Sequence, residues 1–129
     1  MPTHAAPAGR IEHVNITVSD LDRSIGLFED LLGWRVRVRD MHGVRGEFAH
    51  VGADDTYLAL WADGKDYSGQ KKGKPMNHVG LEVRDLAAAE AVVERHGLVP
   101  TAHSKYDPGP RSFYFFDWDG IEFEVVSYE

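Results

Sequence analysis

Two histidines occupy the same place in two similar segments of the chain. The segment EHVNITVSDL at 12–21 and the segment NHVGLEVRDL at 77–86 align at an offset of 65 residues, which pairs His13 with His78. Imidazole binds metals and transfers protons near neutral pH, so a histidine that keeps its place in both copies is a candidate functional residue. The chain has no cysteine, so any metal would have to be held by histidine and carboxylate side chains.

The first copy of the repeat begins a βαβββ pattern. Polar and apolar residues alternate from His13 to Val18, as in a strand that is buried on one face. Asp20 can cap a helix whose apolar residues recur at helical spacing, and Gly33 stands where a left-handed stop is expected. Three short runs then predict three strands: RVRVRD, RGEFAHV and TYLALWA.

The second copy repeats this order of elements. HVGLEV at 78–83 predicts a strand, and a helix from Leu86 to about His96 follows, with Asp85 as its cap and Gly97 as its stop. The runs LVPTAH, SFYFFD and IEFEVVSY predict three further strands. DWDG is the predicted turn between the last two strands.

These patterns predict a single α+β domain over residues 1–129. We expect a first module at 11–62, a polar connector at 63–75 and a second module at 76–128. A chain of 129 residues with 43% hydrophobic content can bury one shared core but is too short for two independent domains.

A single helix can cover only one face of the sheet in each module. The polar face of each sheet must therefore line a solvent-filled space or a functional site. We accordingly expect two pseudo-symmetric βαβββ modules that form a curved sheet around a cleft, with His13 and His78 on its wall.

Composition narrows the choice of partners. A net charge of −7 and a pI near 5.4 argue against nucleic-acid binding, and the one lysine-rich segment, GQKKGK at 69–74, is expected to be a solvated linker. The sequence contains no run of roughly 18 to 20 apolar residues that would span a membrane, and its first residues lack the apolar core of a signal peptide. We expect a cytoplasmic protein that acts on a small molecule.

The offset of 65 also compares the last strands of the two modules. It pairs Ala59 with Glu124, so one module has a carboxylate where the other has a methyl group. Because alternate residues of a strand share a face, Tyr57 and Trp61 lie beside Ala59, and Glu122 lies beside Glu124. A carboxylate among so many aromatic residues is costly unless it binds something.

Three segments together resemble the vicinal oxygen chelate superfamily, which includes glyoxalases, bleomycin resistance proteins and extradiol dioxygenases. They are HVNITVSDLDRSIGLFEDLLGW, NHVGLEVRDL and RSFYFFDWDGIEFEVV. The resemblance extends from about Ile11 to Tyr128. Its most specific part is DWDGIEFEVV, which follows the family's usual Asp-Pro-Asp-Gly turn with Trp118 in place of proline and puts Glu124 at the family's ligand position.

The resemblance implies a metal site formed by His13, His78 and Glu124, with Ala59 at the family's fourth ligand position. Two imidazoles and one carboxylate suit divalent Fe, Mn, Zn, Co or Ni. They leave coordination positions free for a substrate that chelates the metal through two adjacent oxygens. The implied protein is therefore a metalloenzyme.

The missing fourth ligand bears on the type of reaction. Glyoxalase-type members usually keep two cleft glutamates, whereas three-ligand sites belong mostly to ring-cleaving dioxygenases and thiol transferases, so dioxygenase-like chemistry is slightly favoured. Dioxygenases often have an additional cleft histidine and tyrosine, for which His103, Tyr106 and Tyr114 are candidates, although a loop position or strand packing also explains them. The alternative is a non-catalytic protein that sequesters an antibiotic or metabolite, as in the bleomycin resistance branch.

Other residues are candidates for catalysis or substrate binding. Glu122 could act as a base beside Glu124, although a solvated rim carboxylate is the simpler interpretation. Tyr57, Trp61 and Tyr114 could contact a planar substrate around Ala59. Arg111 could hold an anionic group, although an arginine in a Pro/Gly loop is more often solvated.

The resemblance also implies a homodimer with shared sites. In small two-module members, the first half of one subunit commonly pairs with the second half of its partner. We therefore expect His13 to come from one chain, and His78 with Glu124 from the other.

Overall fold

The computed structural model describes residues 7–68 and 76–129. It contains two helices and eight strands in the order βαβββ–βαβββ. The first module consists of β1 (His13–Thr17), α1 (Leu21–Leu32), β2 (Arg35–Met41), β3 (Glu47–Gly52) and β4 (Tyr57–Ala62). The second consists of β5 (Val79–Glu82), α2 (Leu86–Arg95), β6 (Thr101–Lys105), β7 (Arg111–Phe116) and β8 (Glu122–Ser127).

Each module forms its own four-stranded sheet, and the two sheets have the same topology. The strand order is β1-β4-β3-β2 in the first and β5-β8-β7-β6 in the second. The first strand of each module runs parallel to the last, and the other neighbours are antiparallel. The predicted α+β fold with two repeated modules is confirmed.

Both helices begin at the predicted residues, and α1 ends at the predicted residue whereas α2 ends one residue early, at Arg95. The Asp20 carboxylate accepts a hydrogen bond from the Arg23 amide at 3.0 Å, and Gly33 ends α1 with a left-handed φ of 66°. The Asp85 carboxylate accepts from the Ala88 amide at 3.0 Å in the same way. Helix α2 ends just before Gly97, whose φ of 80° only glycine adopts easily.

The prediction for the strand after α2 was wrong in its boundaries. The run LVPTAH covers residues 98–103, whereas β6 spans Thr101–Lys105. Pro100 has no amide hydrogen to donate to a neighbouring strand, so pairing with β7 begins after it. The register of β6 on β7 then shifts between Thr101 and Ser104.

One hydrophobic core joins the two modules. It contains the apolar faces of both sheets and of both helices, and the Phe28 ring of α1 lies 5.3 Å from the Phe123 ring of β8. Helix α1 also packs directly against α2. The sheet face that is not covered by its helix is called the outer face below.

A polar clamp connects the β1–α1 loop with the turn between β7 and β8. The Ser19 amide donates to an oxygen of the Asp119 carboxylate at 3.1 Å, and the Ser19 hydroxyl donates to the other oxygen. That hydroxyl also accepts from the Tyr67 amide at 2.7 Å. The Arg23 guanidinium stacks over the Trp118 ring of the same turn. Because Asp119 is almost fully buried, these hydrogen bonds replace the water that its carboxylate loses.

The same turn holds a second buried carboxylate. Asp117 accepts hydrogen bonds from the amides of Asp119 and Ile121, which close the predicted DWDG turn. Burial raises the pKa of Asp117 to about 6, and these hydrogen bonds oppose the increase.

The predicted connector is only partly described. Residues 63–68 lie beside the β1–α1 loop, as the hydrogen bond from the Tyr67 amide shows, whereas residues 69–75, including the lysine-rich segment, lie outside the described residues. Neither described helix has the length and apolar character of a membrane span.

We expect Ser19→Ala to lower the free energy of unfolding by about 1.5–3 kcal/mol, because it leaves the buried Asp119 carboxylate short of a donor. The measurement is chemical denaturation followed by circular dichroism. The control is Ser104→Ala, since the Ser104 hydroxyl makes a long surface hydrogen bond at 3.3 Å and its loss should change stability by less than about 0.5 kcal/mol. Equal effects of the two substitutions would contradict the role of the clamp.

Candidate functional site

The outer face of the second sheet brings together two of the predicted ligands. The Nε2 atom of His78 lies 3.4 Å from the Oε1 atom of Glu124, and both side chains are partly exposed. The Tyr114 ring meets the His78 ring edge-on, with 5.3 Å between centroids. Burial and a hydrogen bond with Glu124 raise the pKa of Tyr114, so its hydroxyl keeps its proton at neutral pH.

The outer face of the first sheet carries a row of stacked rings. His13 stacks on Tyr57 with 4.8 Å between ring centroids, and His50 stacks on Tyr57 at 4.5 Å. Phe48 continues the row, at 5.5 Å from His50. The strand registers explain the row, because β4 lies between β1 and β3.

Both histidines of the repeat are held in the same way by the residue before them. The Nδ1 atom of His13 lies 2.9 Å from a carboxylate oxygen of Glu12, and the Nδ1 atom of His78 lies 2.8 Å from the amide oxygen of Asn77. An acceptor at Nδ1 keeps the proton on that nitrogen and leaves the Nε2 lone pair free for a ligand. Metal-binding histidines in proteins are commonly oriented by such a hydrogen bond.

Glu12 also affects the groups around His13. Hydrogen bonds from His13 and Tyr57 hold the pKa of Glu12 below its usual value, so it is ionised at neutral pH. Burial and the neighbouring Glu12 raise the pKa of Tyr57. Burial lowers the pKa of His50, and the neighbouring positive charge of Arg37 lowers it further.

The structure does not place all three predicted ligands together within one chain. His78 and Glu124 form a pair, whereas His13 lies on the other sheet with Glu12 and Tyr57. Over residues 7–68 and 76–129, no three His, Cys, Asp or Glu side chains are close enough to hold a metal ion. The donor types still fit a divalent metal, since two Nε2 atoms and one carboxylate are presented on partly exposed surfaces.

The strand registers agree with the alignment of Ala59 and Glu124. Ala59 pairs with Asn15 of β1, and Glu124 pairs with Gly80 of β5, which is 65 residues after Asn15. Ala59 lies on the same face as Tyr57 and is nearly buried.

Sequence reasoning missed His50. It is the partner of Ala59 on β3, as Tyr114 is the partner of Glu124 on β7, so it takes the corresponding place in the first module. Alternation along β3 could have identified it. The offset of 65 did not, because the β3–β4 segment and the β7–β8 segment differ by one residue in length.

Of the other predicted site residues, two lie on the outer faces. Glu122 is buried, shares the strand face of Glu124 and pairs with Phe116. Trp61 lies two residues beyond Ala59 and meets the His42 ring edge-on.

The remaining candidates lie elsewhere. Arg111 is exposed at the start of β7, and alternation places it on the opposite face from Tyr114. His103 pairs with Glu90 of α2 at 2.5 Å, and this contact explains the orientation of the His103 ring. Tyr106 is largely exposed.

An apolar cleft of about 900 Å³ separates the edge strands of the two sheets. Residues of β1, β5 and both helices line it, as does Trp34 just before β2. His13 and His78 both border the cleft. Strands β1 and β5 do not pair with each other there.

The sequence profile of the glyoxalase/bleomycin resistance protein/dioxygenase superfamily matches residues 10–125. The chain belongs to this superfamily. The resemblance drawn from the repeat and the DWDG turn is therefore confirmed. Members of the superfamily differ in chemistry, so membership leaves the reaction to be argued from the site.

Solved structures agree with this assignment. A glyoxylase/bleomycin resistance protein/dioxygenase domain from Frankia sp. EAN1pec is 26% identical, with a TM-score of 0.77 over 92% of this chain and 97% of that one. The fosfomycin resistance protein FosX from Mesorhizobium loti is 20% identical, with a TM-score of 0.73 over 93% of this chain and 91% of that one. A FosX variant from Listeria monocytogenes, solved with Mn(II) and 1S,2S-dihydroxypropylphosphonic acid, is 16% identical, with a TM-score of 0.75 over 96% of this chain and 93% of that one. The two FosX proteins show the shared fold, and no curated protein matches in sequence.

We expect Asn77→Ala to release the His78 ring, because the acceptor that holds its Nδ1 proton is lost. Nitrogen NMR of the ring should show a mixture of tautomers, and affinity for Mn(II) or Zn(II), measured by calorimetry, should fall about 10- to 100-fold. Asn77→Asp keeps an acceptor and should preserve both properties. A single unchanged tautomer in Asn77→Ala would contradict this role of Asn77.

Proposed function

We propose that this protein is a divalent-metal-dependent enzyme whose small substrate has two adjacent oxygens that bind the metal. The observation that carries the proposal is the equal tethering of His13 and His78 through Nδ1, with the Glu124 carboxylate 3.4 Å from the Nε2 atom of His78. A structural histidine needs no such arrangement at both copies of a repeat. A pair of ligands with prepared Nε2 atoms does need it.

His13, His78 and Glu124 would hold the metal, which supplies Lewis acidity to the substrate oxygens when bound. The chain's own groups orient these ligands. Tyr114 donates to Glu124 and can keep a proton next to the site, since its pKa is raised. Glu12 is ionised and fixes the ring of His13.

We infer that each complete site is shared between two subunits of a homodimer. One chain provides a pair of ligands on its second sheet, and on its first sheet a single histidine whose neighbouring carboxylate, Glu12, is already bound to Nδ1. Each half has what the other lacks. The edges of β1 and β5 have no strand partner within the described residues and remain available to a second copy.

Among the reactions of metal-dependent enzymes, we propose dioxygenase-like chemistry for this site. Ala59 leaves the fourth ligand position without a carboxylate, which disfavours the two-glutamate arrangement of glyoxalase-type members. His50 and Tyr114 add a histidine and a tyrosine to the outer faces that would meet in a shared site. The neutral His50 favoured by its lowered pKa can accept a proton from a bound substrate.

Sequestration of a planar antibiotic or metabolite is the alternative. The observation in its favour is the row of rings on the outer face of the first sheet. A planar molecule could stack on these rings without being converted; they belong to His13, Tyr57, His50 and Phe48. This alternative does not require a metal. Metal analysis therefore separates the two.

We expect protein purified without chelator or affinity metal to contain about one divalent ion per chain. Glu124→Ala should remove most of this ion, because a charged oxygen ligand is lost. Elemental analysis by mass spectrometry gives the content, and Glu129→Ala is the matched control, since its carboxylate lies at the exposed C-terminal end. Absence of metal, with no binding of added Fe, Mn, Co, Ni or Zn, would place the sequestering function first.

The metal-loaded protein can then be tested for oxygen chemistry. An oxygen electrode should record uptake with some member of a panel of catechols and other compounds with adjacent oxygens. A bound metal without uptake for any of them would retain the metal site and exclude the dioxygenase proposal for that panel.

We further expect His13→Ala and Glu124→Ala subunits to complement each other. In a mixed dimer with shared sites, one site has both defects and the other is intact, so tight metal binding returns in the refolded mixture. The control mixture is His78→Ala with Glu124→Ala, in which every shared site keeps one defect and nothing returns. No recovery in the first mixture, with subunit exchange demonstrated by mass spectrometry, would exclude shared sites.

A further inference from the structure

Three arginines follow one another at alternate positions of β2, and they have different surroundings. Arg35 pairs with the Asp54 carboxylate, and Arg39 pairs with Asp22 and Glu47. Arg37 lies between them and has no ion pair with any carboxylate of the described residues. The Glu12 and Asp54 carboxylates are within electrostatic range of Arg37, but Glu12 is hydrogen-bonded to His13 and Tyr57, and Asp54 to Arg35.

Arg37 lies on the outer face, since Val36 before it pairs with the buried Val51, and a β-bulge follows at this position. Val36 pairs with Val51 and Val38 pairs with His50, so Arg37 has no partner on β3. Bulges of this kind change the direction of a side chain and are common beside functional sites. Here the bulge adds Val38 to the outer face and turns Arg39 toward the helix side, while the Arg37 guanidinium lies over the Tyr57 ring at 4.5 Å from its centroid.

The position of Arg37 connects it with the candidate ligand His13. Both side chains contact the Tyr57 ring, at 4.5 Å and 4.8 Å from its centroid, so one small molecule could reach both. The nearby Glu12 is already hydrogen-bonded to His13 and Tyr57. The Arg37 guanidinium makes no hydrogen bond within the described residues, so its N–H donors are available to a ligand.

The surroundings of Arg37 are apolar and aromatic as well as positive. Val38 is 42% exposed beside it, and the rings of Tyr57, His50 and Phe48 extend across the same face. A guanidinium binds carboxylate or phosphonate oxygens through paired hydrogen bonds, and apolar and ring surface adds contact area for carbon atoms. An inorganic ion would leave that surface unused.

We propose that Arg37 is a specificity-determining residue that binds the anionic group of an organic acid substrate, while the adjacent oxygens of the same molecule lie toward His13. This inference rests on the proposed function for the identity of the site. The contact between Arg37 and the anion is itself independent of metal, because the guanidinium is charged with or without an ion nearby.

The experiment compares benzoate with benzamide, its neutral counterpart of the same shape. Each probe is titrated into the full-length protein with and without metal, and NMR follows the ring signals of Tyr57, His13 and His50. We expect benzoate to bind about three- to ten-fold more tightly than benzamide, in keeping with a charged contact that is partly exposed to water. Arg37→Gln should abolish this preference, and Arg37→Lys should keep part of it.

Arg35→Gln is the matched control, since it removes a positive charge two residues away on the same strand. It should leave the preference for benzoate intact. An equal loss in Arg35→Gln would mean that only the general field matters, and no preference in the unmodified protein would overturn the proposal. A change in dimer dissociation with unchanged benzoate binding would instead assign Arg37 to the subunit contact and overturn it too.

Metal affinity of Arg37→Gln keeps this test separate from the proposed function. It should equal that of the unmodified protein, because Arg37 is not among the ligands. If neither the unmodified protein nor its variants bind metal but the benzoate preference is retained, the metal-dependent function is overturned. The proposal that Arg37 binds an anion would still be supported.

Discussion

Each module has four strands and a single helix, so only one face of its sheet can be buried by that helix. This constraint determines where polar chemistry can occur. Apolar side chains of the strands turn toward α1 and α2 and merge into one core, and the alternate positions are left for histidine, tyrosine and glutamate. The candidate ligands are therefore a consequence of strand alternation, and their rigidity comes from the core beneath them.

Much of the fold could be predicted because local signals agreed with one another. Asp20 caps the start of the first helix and Gly33 marks its end. About 65 residues later, Asp85 caps the start of the second helix and Gly97 follows its end. The bulge at Arg37 could not be predicted, since RVRVRD alternates regularly and the shift arises only when β2 pairs with β3. Pairing of distant strands decides such details, and a single sequence does not contain them explicitly.

Local signals also nominated the candidate site residues, of which the structure brings together His78 and Glu124. The repeat and the superfamily resemblance pointed to His13, His78 and Glu124, and alternation placed Tyr57 on the face that also carries His13. The tethers were missed, although Glu12 and Asn77 stand at matching positions of the repeat and both carry an acceptor oxygen. Their importance depends on side-chain rotamers, which bring the oxygen to Nδ1 in both modules.

The interpretation of Arg111 shows a different limit. Its sequence context identified a charged residue near the last hairpin but did not reveal the face on which it lies. The arginine of β2 without a direct ion pair in the described part of the chain is Arg37, in a strand that looked like ordinary alternating structure. A residue's charge can be read from the sequence, whereas its ion-pair partners are a property of the folded chain.

The one-sided pairing of β1 and β5 has a consequence for the backbone. The Glu12 carbonyl accepts from the Tyr57 amide and the Val18 amide donates to the Trp61 carbonyl, so even-numbered residues of β1 turn their peptide groups toward β4. The peptide groups of His13, Asn15 and Thr17 point to the open edge of the first sheet. In β5, the peptide groups of Gly80 and Glu82 point to the open edge of the second sheet in the same way. Amide hydrogen exchange at these alternate positions would therefore report directly on what covers the edges, with neighbouring residues of the same strands as the internal reference.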